Sequence, residues 1–357
     1  MKNNDKIDFM REFLKIGKIR VFFVWFDSMG AKSSSIFVET PDVKILIDPG
    51  AALMQPSYPL SKKEKEKLKK KALEEIKFFA KKAEIIIITH YHYDHHTIPK
   101  KNLDFYSGKT LFIKNPNKWI NRSQFFRARK FIKRVARICG LKFRKILVAP
   151  EKLKFYDPVE EIKLKKIDKE GIKKGKEWLK MLFQLWNKEA SIEEWEKSNT
   201  KVLFAEGKNL KIKNTIVKFS PPLFHGIEYD KLGWVFMVNI IHKNKSILYT
   251  SDLQGPIIEE YAHKIININP DILILDGPAT YLLGYLLTQK NLERAIKNIK
   301  EIIKNIKAEI IIYDHHLTRD IKFKERINEV YRVAEKYHKK VLTAPQVFGK
   351  LNLIENL

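Results

Sequence analysis

The sequence feature that most restricts the fold of this chain is the run HYHYDHH at residues 90–96. It gathers four of the ten histidines of the protein, together with one aspartate, into seven consecutive positions. A hydrophobic core does not accommodate so many polar rings side by side, because each buried ring nitrogen needs a hydrogen-bond partner. Neutral imidazole and carboxylate are, by contrast, usual ligands of zinc, and of iron or manganese. The run therefore predicts a metal site.

The run directly follows AEIIII, residues 83–88, which is typical of a buried strand. In an extended stretch alternate side chains share one face, so His90 and His92 can point at one ion. A turn after them can bring Asp94 and His95 toward a second ion. Further ligands must come from elsewhere in the chain, and three strand-end segments offer them: His225 in SPPLFHG, Asp252 in YTSDLQGP, and His315 or His316 in YDHHLTRD.

The order of apolar and polar segments indicates an α/β protein in which residues 1–357 form a single domain. Strands are predicted at 19–26, 35–40, 43–48, 83–88 and 308–316, and throughout much of 200–276. Helices are predicted at 61–83, 121–139, 290–307 and 321–340, with another beginning near Ser191. The segments AEIIIITH (83–90) and AEIIIYDH (308–315) align without a gap. Two sheet-containing halves are therefore expected, separated by an insertion at about 105–200.

The insertion begins with an unusual charge distribution. From Phe105 to Pro150 there are thirteen Lys or Arg and no Asp or Glu, in a chain whose formal net charge is +27. Residues 121–145 combine these charges with four phenylalanines, a mixture that suits contact with unpaired nucleic acid. The alternative is an amphipathic helix whose phenylalanines face the core and whose basic residues form a solvated face. Both interpretations remain open at this point.

The remaining composition narrows the class of protein. A single cysteine, Cys139, excludes an intramolecular disulfide and a cysteine-rich metal site. The sequence contains no apolar run long enough to cross a bilayer, and residues 1–13 lack the pattern of a signal peptide. We therefore expect a cytoplasmic protein without a membrane partner. The sequence gives no indication of the oligomeric state.

Taken in chain order, the candidate ligands resemble the pattern of the metallo-β-lactamase superfamily. That pattern is an Asp after an early strand, then H-x-H-x-D-H, and then a His, an Asp and a His. Asp48 in ILIDPG matches its first position. The strings FDSMGAKS, LIDPG, SPPLFHG, SDLQGP, DGPATY and DHHLTRD are similar to an archaeal family of predicted metal-dependent hydrolases within that superfamily. The resemblance implies a four-layer αβ/βα sandwich with a basic, largely helical insertion.

The resemblance also implies a centre of two divalent ions, zinc in the first place, with iron or manganese as alternatives. Its ligands would be His90, His92 and His225 for the first ion, and Asp94, His95 and either His315 or His316 for the second. Asp252 would bridge the two ions, and Asp48 would orient a ligand histidine. The echo between the two AEIII segments favours His315 over His316, since it places His315 at the position of His90.

The predicted activity is hydrolysis of an anionic ester, with a phosphodiester preferred, by a hydroxide that bridges the two ions. Asp94 and Asp252 are the predicted catalytic carboxylates, and the substrate is an anionic small molecule or a nucleic acid. Two alternatives are a nuclease or RNA-processing enzyme using the same centre, and a nucleic-acid-binding protein with a structural metal site. A di-iron oxidoreductase is disfavoured because the resemblance implies Glu at the position of His92 in such proteins. Predicted substrate contacts are Tyr281, Asp276 and Arg122.

Overall fold

The computed structural model describes residues 11–100, 102–163 and 167–357. Most of residues 1–13, on which the signal-peptide argument depends, lie outside these ranges. Within the described ranges, none of the helices combines the length and the apolar character needed to cross a membrane. The protein is an α/β sandwich in which two large sheets face each other and the helices lie outside them.

Eight strands from the first part of the chain form the first sheet. They are β1 (Leu14–Ile16), β2 (Ile19–Phe26), β3 (Ser34–Glu39), β4 (Lys44–Ile47), β5 (Ile85–Ile88), β6 (Thr110–Ile113), β9 (Trp195–Lys197) and β10 (Thr200–Phe204). Their spatial order is β1-β2-β3-β4-β5-β6-β10-β9, and β4, β5, β6 and β10 are parallel. The four isoleucines of β5 are all buried, as expected for a parallel strand covered on both faces.

Seven strands form the second sheet. They are β11 (Asn209–Ile212), β12 (Thr215–Phe219), β15 (Val238–His242), β16 (Lys245–Tyr249), β17 (Ile272–Asp276), β18 (Ile310–Asp314) and β19 (Lys340–Leu342), in that spatial order. The last four are parallel. Two short ladders pair β7 (Leu147–Val148) with β8 (Ser191–Ile192) and β13 (Leu223–Phe224) with β14 (Trp234–Val235). The sheets meet where the Phe112 and Phe219 rings stack and where the Tyr249 hydroxyl donates to Ser34 O at 2.9 Å.

The described residues form seven α-helices: α1 (Lys62–Lys82), α2 (Arg122–Ile138), α3 (Lys169–Lys188), α4 (Glu259–Ile268), α5 (Gln289–Asn305), α6 (Phe323–Arg326) and α7 (Asn328–Lys336). Helix α1 begins with the predicted capping box, in which Ser61 Oγ accepts from Glu64 N and the Glu64 carboxylate accepts from Ser61 N. It buries Ala72, Ile76 and Phe79. Helix α1 contacts the first sheet at β2 and β4, whereas α4, α5 and α7 pack together and α7 contacts β19 of the second sheet.

Two predictions about secondary structure are wrong. The helix predicted to begin near Ser191 is absent, because Ser191 lies in β8, where its Oγ accepts from Glu151 N. Glu194, the other half of that capping pattern, instead accepts from Phe204 N at 2.7 Å. The closing helix predicted at 321–340 is divided at Ile327 into α6 and α7. Helix α3 was not predicted, although Asp168 caps it by accepting from Gly171 N.

The fold brings the carboxyl ends of several strands together at one edge of the sandwich. In the first sheet, Asp27 follows β2, Asp48 follows β4, and the histidine run follows β5. In the second sheet, Asp252 follows β16, Asp276 ends β17, and His315 follows β18. Each sheet thus supplies part of a polar cluster that is far apart in sequence, and the clustered residues lie in the turns after the strands.

Candidate metal centre

The histidine run folds into a tight turn after β5. His95 N and His96 N both donate to the carbonyl oxygen of His92, at 3.0 and 3.2 Å, so the chain turns back after His92. Gly50 lies against this turn. A Cβ at that position would lie 2.3 Å from His96 N and 2.6 Å from His95 N, closer than any side chain can approach. The glycine of the DPG sequence therefore allows the two loops to pack backbone to backbone.

The first donor set consists of His90, His92, His225 and Asp252, whose ligand atoms all lie within 4.8 Å of one another. His90 Nε2 lies 3.0 Å from His92 Nδ1, and His225 Nε2 lies 3.1 Å from Asp252 Oδ2. Ligands at the usual Zn–N distance in a tetrahedral site are about 3.3 Å apart. The spacing of these atoms therefore matches what one shared ion requires.

The second donor set consists of Asp94, His95 and His315. His95 Nε2 lies 3.2 Å from His315 Nε2, and His315 Nε2 lies 3.9 Å from Asp94 Oδ2. His95 Nε2 is also 3.1 Å from Asp252 Oδ2, and His315 Nε2 is 3.5 Å from Asp252 Oδ1. Asp252 thus lies between both sets, where a bridging carboxylate was expected.

The polar atoms of Asp252 and His225 show that this arrangement suits a cation. Asp252 is 1% exposed, and among the described residues neither of its oxygens has a partner with hydrogen-bond geometry. The same holds for His225 Nε2. Buried polar groups are normally paired, and a buried carboxylate without hydrogen bonds is costly. A pair of divalent ions would satisfy all three atoms, so the residues fit the predicted group.

The two adjacent histidines at 315 and 316 have different surroundings. His315 belongs to the second donor set, with its ring 5.0 Å from that of His95. His316 Nε2 lies 3.8 Å from Asp252 Oδ2, and its Nδ1 lies 3.3 Å from Asp276 Oδ2. A third group of Asp252, His315 and His316 also has donor atoms within 4.8 Å. His315 therefore has the closer association with Asp94 and His95, while His316 borders the cluster beside Asp252.

Carboxylates hold both histidines of the second donor set from behind. Asp48 Oδ2 lies 2.9 Å from His95 Nδ1, a contact consistent with the orienting role that the resemblance implies for Asp48. Asp27 Oδ1 lies 3.1 Å from His315 Nδ1 in the same relation. Burial opposes protonation of His95, yet Asp252 and Asp48 raise its pKa to about 10. Burial likewise opposes protonation of His315, but Asp27 and Asp252 hold its pKa well above the ordinary value.

Neutral groups, by contrast, surround the outer nitrogens of the first donor set. His90 Nδ1 lies 3.2 Å from Thr89 Oγ1, and His225 Nδ1 lies 3.3 Å from Gln254 Nε2. His92 Nε2 lies 3.4 Å from Gln124 Nε2. Burial and the neighbouring His95 lower the pKa of His90 to about 4, although Asp252 opposes this shift. The two halves of the cluster therefore differ in the charge of their supporting groups.

Arg319 is buried, and it joins Asp94 of the second donor set to the partly exposed Tyr281. Its Nη2 lies 3.1 Å from Asp94 Oδ2, its Nε pairs with Asp27, and its Nη1 lies 3.2 Å from the Tyr281 hydroxyl. Burial raises the pKa of Asp94, but His95 and Arg319 outweigh this and keep it well below the ordinary value. Asp94 is consequently anionic and oriented before any ligand arrives. Tyr281, a predicted substrate contact, lies partly exposed beside this arginine.

The other two predicted substrate contacts occupy different surroundings. Asp276 is buried, and its two oxygens accept from Leu253 N at 2.9 Å and Gln254 N at 2.8 Å. Burial and the Asp252 carboxylate raise the pKa of Asp276 to about 8. Asp276 therefore holds the loop that follows Asp252 through these backbone hydrogen bonds, and it also contacts the ring of His316. Arg122 is exposed in the first turn of α2.

Backbone strain accompanies the cluster. Asp48, Ser251 and His315 all have left-handed backbones, with φ values of 49°, 56° and 52°. Such conformations are uncommon outside glycine and are found at functional sites where the surrounding structure enforces them. Gly226, next to His225, has φ of 154°, and a Cβ there would lie 2.5 Å from Asp230 Oδ2. That glycine is therefore required by the loop containing Asp230.

Sequence reasoning missed several residues that contact the candidate ligands, among them Asp27, Arg319 and Gln124. Asp27 had a signal, because it follows a strand in FDSMGAKS just as Asp48 follows one in LIDPG. Gln124 and Arg319 had no such signal in the sequence, because Gln124 lies at an ordinary position in helix α2 and Arg319 lies in the turn after β18. The Asn121 side chain accepts from Gln124 N, so it is a helix cap, and its Nδ2 donates to Lys231 O.

The fold and the donor sets define the class of protein. A family model described as the metallo-β-lactamase superfamily matches residues 30–96, which include Asp48 and the histidine run. Two archaeal relatives match nearly the whole chain. The UPF0282 protein of Korarchaeum cryptofilum is 33% identical over 331 residues, 92% of this chain and 89% of its own length. That of Methanocaldococcus jannaschii is 33% identical over 321 residues, 87% and 88% of the two chains. The protein belongs to the UPF0282 family.

Similar solved structures are more distant. CmlA, a diiron β-hydroxylase from Streptomyces venezuelae, has a TM-score of 0.39 and 12% identity; the match covers 93% of this chain and 53%, about half, of CmlA. Human tRNase Z, short form, has a TM-score of 0.37 and 14% identity, with 83% of this chain and 92% of that chain covered.

Proposed function

We propose that the protein is a hydrolase that uses two divalent metal ions to cleave an anionic ester, in particular a phosphodiester. The observation that supports this most directly is Asp252, a buried carboxylate between two donor sets whose oxygens lack hydrogen bonds among the described residues. Five histidines and two aspartates make a nitrogen-rich donor set, which favours zinc over magnesium or calcium. Two such ions, when bound, would lower the pKa of a water and neutralise charge that develops on the substrate.

The exposure of the donor residues favours catalysis over a structural metal site. A structural site is closed by protein ligands, whereas a catalytic one keeps a position open to solvent. Five of the seven donor residues are buried, but His92 and Asp94 are partly exposed. The residue between them, Tyr93, is 42% exposed. Solvent therefore reaches the cluster from the side of the histidine run, and a substrate can approach there.

The chain's own groups suit an anionic substrate at this opening. Arg319 pairs with Asp27 and Asp94 and donates to the Tyr281 hydroxyl, so that hydroxyl is fixed at the border of the second donor set, where it can donate its own hydrogen to a substrate. Asp94 is kept anionic, so its carboxylate can accept a hydrogen bond from an incoming water and orient it. Because Arg319 is already neutralised by two carboxylates, we assign it to positioning Asp94, and Tyr281 to the substrate oxygen.

The experiment that tests this proposal is hydrolysis of bis(p-nitrophenyl) phosphate by the full chain, loaded in turn with Zn²⁺ and Mn²⁺. The same assay with p-nitrophenyl acetate compares a neutral ester. An Asp252→Asn variant should lose at least about 100-fold in rate, since one carboxylate serves both donor sets. Asp42→Asn is the matched control, because Asp42 contacts His242 in a buried pair away from the cluster, with Oδ2 3.3 Å from Nδ1.

The outcomes separate clearly. Diester hydrolysis by the parent and the Asp42→Asn control, but not by Asp252→Asn, would support the proposal. Equal activity in both variants would contradict it, as would a parent that binds two ions per chain and hydrolyses no ester. Metal binding without hydrolysis would favour the structural alternative.

A further inference from the structure

Helix α2 presents a continuous basic face beside the opening of the candidate metal centre. Its apolar face is buried through Phe125, Phe131, Ile132 and Val135. The opposite face carries six basic residues that are exposed or partly exposed, and we call it the α2 basic face: Arg122, Arg127, Lys130, Lys133, Arg134 and Arg137. In the described part of the chain, no acidic side chain lies within 4 Å of their charged nitrogens. The face is therefore positively charged and uncompensated.

The α2 basic face is not a sample of the overall composition. Four of its six residues are arginines, and the segment of 23 residues from 122 to 144 contains six of the twelve arginines of the chain. The rest of the positive charge is mostly lysine and is spread along the sequence. Arginine binds phosphate with a planar fork of donors and stacks on aromatic faces, which lysine does not. A general enrichment in lysine therefore does not account for this concentration of arginine.

Helix stability does not account for it either. Like charges four residues apart, such as Lys130 and Arg134 or Lys133 and Arg137, repel and destabilise a helix. A positive residue at the N-terminus opposes the helix dipole, and α2 has no acidic residue in its first turn. Helix α1 shows the ordinary arrangement, in which glutamates alternate with lysines and the capping box places Glu64 near the N-terminus. An anionic partner would relieve both the repulsion between the basic side chains of α2 and their unfavourable interaction with the helix dipole.

The α2 basic face leads directly to the candidate centre. Gln124 accepts from Tyr91 N at 2.8 Å, and its Nε2 lies 3.4 Å from the ring of His92. Arg127 lies over the ring of Tyr93, 5.0 Å from its centroid. Tyr93 stands between the two partly exposed donor residues, so the first turns of α2 form one border of the opening. Phe126, on the same side of the helix, is 51% exposed.

We propose that the α2 basic face binds the backbone of a single-stranded nucleic acid and directs one of its phosphodiesters into the metal centre. Arginines and lysines along a groove neutralise phosphates, and exposed aromatic rings such as Phe126 stack on bases that are not paired. The helix is about 25 Å long, which corresponds to about seven phosphates at the spacing of one strand. The proposal rests on the proposed function, because it names the substrate class of the same centre.

The test compares two variants with equal loss of charge. In the first, four residues of the α2 basic face are replaced: Lys130→Gln, Lys133→Gln, Arg134→Gln and Arg137→Gln. In the control, four exposed lysines of α1 are replaced: Lys62→Gln, Lys63→Gln, Lys67→Gln and Lys70→Gln. Fluorescence anisotropy measures the binding of labelled single-stranded RNA and single-stranded DNA of about 20 nucleotides, and of duplex DNA of about 20 base pairs, between 50 and 300 mM KCl. Hydrolysis of bis(p-nitrophenyl) phosphate is measured on the same preparations.

The expected result has a defined size. If each of the four residues contacts one phosphate, the slope of log K against log salt becomes shallower by about 3, and single-strand affinity at 0.15 M salt falls about 100-fold. The α1 control should keep the parent's slope, and both variants should keep the small-diester activity. Unchanged affinity in the α2 variant, or duplex binding as tight as that of both single strands, would overturn this inference alone. Absence of diester hydrolysis in the parent would instead overturn the proposed function.

Discussion

Replacing Asp27 by asparagine should weaken metal binding at the second donor set and leave the first unchanged. The Asp27 carboxylate lies 3.1 Å from His315 Nδ1 and also accepts from Ser33 N at 2.8 Å. Asparagine has nearly the same volume as aspartate, so this substitution removes the charge and leaves the packing in place. A carboxylate behind a ligand histidine makes the ring a stronger donor, and its loss typically costs 10–100-fold in metal affinity, about 1.4–2.8 kcal/mol. The first donor set has neutral groups behind its histidines and contains no contact with Asp27.

The assay is metal content per chain after dialysis against a series of zinc buffers of decreasing free concentration. The parent should lose its two ions over one range, whereas Asp27→Asn should pass through a clear stage with one ion per chain. Circular dichroism at each step verifies folding, since Arg319 also loses a charged partner. Asp42→Asn serves again as control, because it removes a carboxylate from a buried histidine pair elsewhere. Simultaneous loss of both ions from the variant, or retention identical to that of the parent, would refute the reasoning.

Three further substitutions or treatments test the structure itself. Gly50→Ala should destabilise the protein by about 3 kcal/mol in urea unfolding, because its Cβ meets the His96 backbone; parent-like stability would contradict the loop packing. Arg294→Ala should cost about 3–5 kcal/mol, since it leaves Glu228 buried without its bidentate partner, and a change under 1 kcal/mol would be inconsistent with that ion pair. Chelation should lower the unfolding temperature reversibly, by the equivalent of about 2.7 kcal/mol for each ion present at 100 times its Kd. Identical unfolding with and without chelator would exclude a metal-stabilised fold.

Much of the fold was predictable because strong local patterns agreed with tertiary packing. The capping box at Ser61, the buried isoleucines of β5 and the amphipathic pattern of α2 each placed an element within a few residues of its bounds. Prediction failed where tertiary contacts used the same residues differently. Ser191 and Glu194 form a convincing capping pattern, but hydrogen bonds to residues 151 and 204 commit them to a sheet edge. Helix α3 was not predicted, because Gly171 and Gly175 lower the helix propensity of its sequence.

The candidate site divides in a similar way. Donor residues at strand ends were predictable, since the type of residue and its position after a strand both indicate a ligand. Asp48 was predictable through the same logic, and Asp27 could have been. Arg319 and Gln124 were not, because only the packing of a turn and a helix N-terminus against the histidine run brings them to Asp94 and His92. The ligand roles themselves remain predictions until metal is measured.

The contribution of both sheets to one cluster also sets an order of events during synthesis. His95 and His315 are separated by 220 residues, yet their ring nitrogens lie 3.2 Å apart. At a translation rate of about 5–20 residues per second, the histidine run waits roughly 11–44 seconds for its partners to be made. Until His315 has been synthesised, the second donor set lacks one of its three members. Occupation of both proposed donor sets would therefore require the chain to be made as far as His315, and the contact between His95 and His315 closes a loop of 220 residues.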